Sequence, residues 1–73
     1  MDDRLAETTL RAFRAACPRA AGVTLARRDG QTVAADSPSA TLAPTLIASA
    51  LARGMAAGGL VSHNGDDYLV VFV

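Results

Sequence analysis

The chain has 73 residues, of which 51% are hydrophobic, so it forms one domain near the lower size limit for a stable core. Its seven basic and seven acidic residues cancel, which argues against a nucleic-acid-binding surface. A single Cys and a single His exclude an internal disulfide and argue against a structural zinc site. We therefore expect a small cytoplasmic domain, without metal or cofactor, that gains stability by self-association.

The first predicted element is an amphipathic helix over residues 3–17. Asp2 or Asp3 is expected to cap its start, and Pro18 to end it. Apolar residues recur there at steps of three and four: Leu5, Ala6, Leu10, Phe13, Ala16 and Cys17. Charged residues occupy the other face: Arg4, Glu7, Arg11 and Arg14.

Residues 22–36 predict a β-hairpin. Two β-prone runs, residues 23–26 and 32–35, flank a turn that contains Asp29 and Gly30. Asp-Gly is a strong hairpin signal because Gly accepts the positive φ that the turn requires.

A second helix is predicted from near Leu42 to the Gly58-Gly59 pair. Thr41 is the expected N-cap, which places Pro44 in the first turn, where proline is tolerated. The apolar stretch of residues 42–61 is not expected to span a membrane, because Arg53 lies well inside it.

Within that helix, Ala50, Gly54 and Gly58 fall at four-residue steps. Such a stripe of small residues allows another backbone to approach closely. The approaching backbone belongs either to a second molecule or to the chain's own sheet, and the pattern does not distinguish them.

Residues 60–73 predict a second hairpin whose turn is Asn64-Gly65. The last strand, residues 68–73, is apolar at every position. An uninterrupted apolar run is typical of an interior strand that is buried on both faces.

We find no catalytic constellation in the sequence. His63 beside a turn is expected to face solvent, and Cys17 to be a small buried hydrophobe. Asp66 and Asp67 fit a role as turn formers. A small acid–base enzyme that uses His63 remains a weak alternative.

Residues 18–36 combine Pro18, Gly22, Asp29-Gly30 and Asp36, and a long Ala/Leu helix and a Gly-Asp-Asp-Tyr segment that opens the last strand follow them. In these features the chain resembles the roadblock family of dynein light chains and bacterial regulators of small Ras-like GTPases. Family members have a further strand and a third helix after this point, so the likeness is to a roadblock domain shortened at its C-terminus. The hairpin is also similar to the start of GAF sensor domains.

The predicted elements give an α/β (α+β) fold of order α-β-β-α-β-β, and with the resemblance we expect a four-stranded antiparallel profilin-like sheet, for which 2-1-4-3 is the simplest strand order. The resemblance also implies a non-enzymatic homodimer that serves as a scaffold, with a small GTPase as partner. The alternative is a GAF-like module that senses a small ligand in an apolar pocket. Roadblock proteins dimerise through the second helix and the strand after it, which here gives an expected interface of Leu46, Ala50, Gly54, Met55, Gly58, Leu60 and Val61.

Overall fold

The fold is taken from a computed structural model, which describes residues 3–73. The elements are α1 (Asp3–Ala16), β1 (Gly22–Ala26), β2 (Thr32–Ala35), α2 (Ala43–Ala52), β3 (Gly58–His63) and β4 (Asp66–Phe72). The strands form one four-stranded sheet in the order β2-β1-β4-β3. The predicted class, element order and sheet order are confirmed, whereas the predicted cap at Asp2 or Asp3 depends on side chains that the structure does not describe.

The sheet is mixed, so the expectation of a fully antiparallel sheet is wrong at its centre. Both hairpins are antiparallel, but β1 and β4 run parallel, from Gly22 opposite Tyr68 to Ala26 opposite Phe72. The cause is α2, whose ten residues rise about 15 Å, roughly the length of β1. It carries the chain from the end of β2 back to the level at which β2 began. Consequently β3 runs in the direction of β2, and β4 in that of β1.

The second helix is shorter than predicted at its C-terminal end. It ends at Ala52, because Gly54, at φ 71°, leaves helical geometry. The Gly54 N–H donates to the Leu51 carbonyl, and the Met55 N–H donates to the Ala50 carbonyl. This pair of bonds is the Schellman motif, with Gly54 as its left-handed residue. The glycine that ends the helix is therefore Gly54 and not the Gly58-Gly59 pair.

The start of α2 also differs in detail from the prediction. Its N-cap is Leu42, not Thr41, and no side chain caps the first turn. Pro44 does lie in that turn, as predicted.

The two hairpin turns confirm the role assigned to their glycines. Asn64 and Gly65 have φ values of 52° and 85°, the paired left-handed geometry of a type I′ turn. Gly30 has φ 98° in the first hairpin.

The main core lies between α2 and one face of the sheet. Leu46, Ile47 and Ala50 of α2 are at most 1% exposed. They pack in one cluster with side chains from three strands: Ala26, Val61, Tyr68, Val70 and Phe72. The opposite face of the sheet, called here the outer face, carries α1.

Candidate interaction surface

The outer face is only half covered. α1 packs over β1 and β2, and in the described residues no Cα of α1 lies within 8 Å of a Cα of β3 or β4. Val23 and Leu25 of β1 point to this face and are fully buried. Their neighbours on β4, Leu69 and Val71, are only half-buried. The expectation that helices cover both faces of β4 is therefore wrong on this side.

The uncovered part, called here the open half, is apolar. It consists of Leu60 on β3, Leu69 and Val71 on β4, and Val73, which is next in the alternation. Leu60 is 37% exposed and Val73 is 55% exposed. At one end, the Ser62 hydroxyl donates to Asp67 Oδ1 over 2.8 Å, so the open half changes there from apolar to acidic.

β3 is an edge strand that lacks the proline and charged residues that usually discourage pairing with another strand. Its six residues, Gly58–His63, include neither proline nor an Asp, Glu, Lys or Arg. Natural proteins usually protect edges with such residues, because an edge presents unpaired N–H and C=O groups. β2, the other edge strand, has only four residues and pairs with β1 through an irregular register.

The structure separates the residues of the expected interface into two groups. Leu46, Ala50 and Val61 fill the main core, where they are at most 1% exposed. The small-residue stripe does not form, because Gly54 lies in a turn and Gly58 begins a strand. A Cβ at Gly58 would collide with the Val70 carbonyl oxygen, so the chain's own sheet requires this glycine. Surface remains at Leu60, at the exposed Gly54 and at the half-buried Met55 and Gly58.

A polar junction lies on the flank of α1 that faces β2, away from the open half. The Asp36 carboxylate accepts hydrogen bonds from the Val23 N–H at 3.1 Å and from the Ser39 N–H at 3.3 Å, and pairs with Arg14 at 2.6 Å. Gly22 leaves room for this junction, because a Cβ there would collide with Ser39 Oγ and lie 2.9 Å from Asp36 Oδ1. These contacts join the start of β1, the end of β2 and α1.

Beside this junction is an open groove of about 320 Å³. It is lined by Glu7, Leu10, Arg11, Arg14, Ala35, Asp36 and Ser37. The lining includes arginines and carboxylates, so this groove differs from the apolar pocket between sheet and helix that a GAF-like sensor is expected to have.

The other residues considered for chemistry lie apart from one another. The His63 ring meets Tyr68 edge-on, with ring centroids 6.4 Å apart, and Cys17 is a half-buried free thiol. Among the described side chains, no group of three or more His, Cys, Asp or Glu is arranged to hold a metal ion.

Sequence reasoning missed Leu69, Val71 and Val73 as surface residues, although a signal was present. A four-stranded sheet is about 19 Å wide, and a helix with its side chains is about 10 Å across. Covering both faces therefore takes about four helices, whereas the sequence predicts two. Part of the sheet had to stay open.

Comparisons with models of protein families, with curated proteins and with solved structures find no match to this chain. Among residues 3–73, no helix is both long enough and apolar enough to cross a membrane.

Proposed function

We propose that this chain is a non-enzymatic, cytoplasmic interaction scaffold that works as a homodimer, similar to roadblock regulators of small Ras-like GTPases. The observation that carries the proposal is the unprotected β3 edge, which lies directly beside the open half. A surface of this kind fits protein binding better than catalysis. The GTPase as partner class rests on the resemblance of residues 18–36.

In the proposed dimer, β3 pairs antiparallel with β3 of a second copy. His63 and Asp66 flank the two-residue turn and form a hydrogen-bonded pair. Leu60 and Ser62 occupy the alternate positions, so their N–H and C=O groups point away from β4 towards the free edge. Pairing at this free edge joins the two sheets into one. In the proposed interface, contact between the two β3 strands takes the place of the expected stripe of Ala50, Gly54 and Gly58.

The replacement Ser62→Pro tests this interface. Proline removes the N–H that Ser62 offers to a second strand, and an edge strand tolerates it. Sedimentation equilibrium should give twice the chain mass of 7.5 kDa for the natural sequence and 7.5 kDa for Ser62→Pro. Ser62→Ala is the matched control, because it loses the bond to Asp67 but keeps the N–H, and it should remain a dimer.

A folded Ser62→Pro variant, checked by its circular dichroism spectrum and cooperative unfolding, that kept the dimer mass would refute pairing through β3. Loss of the dimer in both variants would assign the effect to the Ser62–Asp67 bond instead.

A further inference from the structure

We propose that the open half is the floor of a trough that binds one amphipathic helix of a partner protein, with a basic residue at the start of that helix. This inference rests on the proposed scaffold role and specifies what the scaffold recognises. The trough is present within a single copy, so it can be tested separately from dimerisation.

The width of the open half matches one helix. It spans β3 and β4, two strands separated by about 4.8 Å, and a helix is about 10 Å across. On the other half of the same face, α1 already covers two strands, β1 and β2. A second helix beside α1 would therefore complete a layer of two helices on the outer face.

The side wall of the trough is the flank of α1 that faces β4. Glu7, Arg11 and Arg14 line the groove beside β2, so they occupy the far flank. Helical geometry then places other residues of α1 on the flank that faces β4, called here the near flank. This set is apolar or small: Leu5, Thr9, Ala12 and Ala16. Leu5 is 55% exposed, as expected for a side chain at an unfilled trough.

Small side chains on a helix flank allow another helix to approach closely. The near flank thus supplies a wall suited to helix packing, and Leu60, Leu69 and Val71 supply the apolar floor. An amphipathic helix buries its apolar stripe against two such surfaces at once.

The charges at one end set the direction of the bound helix. The Ala21 N–H donates to the Asp67 carbonyl, so the loop that follows α1 reaches the start of β4 at this end of the trough. The Asp67 carboxylate, which accepts the Ser62 hydroxyl, lies at this end of the outer face, whereas Asp66 alternates to the face that carries α2. A helix antiparallel to α1 brings its positive N-terminal end to this position, and a basic residue there adds to the attraction.

A second copy of this chain is a poorer occupant. Packed face to face, it would bring exposed polar side chains of its α1, Thr8 and Arg11 among them, onto the apolar floor. Removing an arginine from water without a partner is costly. Pairing of β3 edges leaves the outer faces on the same side of the joined sheet, so it does not fill the trough either.

The test uses the 73-residue chain and a synthetic helical peptide of about sixteen residues, the length that spans the seven residues of β4. The peptide carries Leu and Ala on one face, Gln and Ser on the other, and Arg just before its first turn. A second peptide has Glu in place of that Arg. Fluorescence anisotropy should give a Kd of about 100 µM or lower for the Arg peptide and binding about tenfold weaker for the Glu peptide.

Adjacent threonines on α1 provide matched variants. Each donates its hydroxyl to the carbonyl four residues earlier, Thr8 to Arg4 and Thr9 to Leu5. Thr9 belongs to the wall of the trough, whereas Thr8 faces solvent. Thr9→Glu and Leu69→Glu should weaken binding by about tenfold or more, because each places a charge in an apolar contact. Thr8→Glu should leave the Kd within about twofold.

The proposal is overturned if the Arg peptide does not bind, if the Glu peptide binds equally well, or if Thr8→Glu and Thr9→Glu have the same effect. A monomeric natural chain that binds the peptide would refute the dimer alone, and a dimer that does not bind it would refute the trough alone.

Discussion

Asp36 and Gly22 show how single residues connect distant parts of this small chain. One carboxylate accepts two backbone N–H groups and pairs with Arg14, and the glycine opposite leaves room for that carboxylate and for Ser39. The sequence pattern contains both residues, but their contact depends on the meeting of β1, β2 and the loop before α2. Spacing along the chain does not reveal that meeting.

Gly22→Ala should lower the free energy of unfolding by about 2 kcal/mol, because the added methyl must displace Ser39 or Asp36. Urea unfolding measures the change. Gly59→Ala is the matched control in another strand, since its Cβ would meet only the flexible end of Met55, with Sδ at 3.3 Å. We expect it to change the free energy by less than about 0.5 kcal/mol. Equal losses in the two variants would contradict the described junction.

Among the elements, β4 departs most from its sequence pattern. Its apolar run predicts burial on both faces, yet burial alternates along the strand. The difference arises because neighbouring residues face different layers: Val70 faces α2 and is 0% exposed, whereas Val71 faces the open half. Composition records that a residue is apolar but not whether a helix exists to cover it.

Val70→Ala should therefore cost more stability than Val71→Ala. Removing a buried side chain leaves a cavity, and we expect a loss of about 2 kcal/mol for Val70 against about 1 kcal/mol or less for Val71. The comparison belongs in the Ser62→Pro background, where self-association does not contribute to the unfolding free energy. A larger loss at Val71 than at Val70 would mean that the outer face is covered within one chain.

The elements that were predicted well depend on local chemistry. Asn64-Gly65 and Asp29-Gly30 specify their turns directly, and α1 follows from its apolar period. The parallel pairing of β1 with β4 and the end of α2 at Gly54 were predicted wrongly. The first depends on the path of a helix across the sheet. The second required a choice among three glycines, all compatible with a helix end.

At the scale of the whole molecule, two helices and a four-stranded sheet leave half of the outer face without a cover. A chain of 7.5 kDa has a small core. The apolar area that stays exposed on the open half adds no burial energy to its stability. An open edge beside it adds unpaired backbone groups. The proposed dimer pairs the β3 edge, and the proposed partner helix covers the open half.

The most direct test of self-association is the mass of the natural chain in solution. At about 100 µM, a concentration at which a dimer with a Kd of about 1 µM or lower is almost fully formed, sedimentation equilibrium should give twice 7.5 kDa. A stable mass of 7.5 kDa at that concentration would contradict the account, because the β3 edge would then remain unpaired in the free protein.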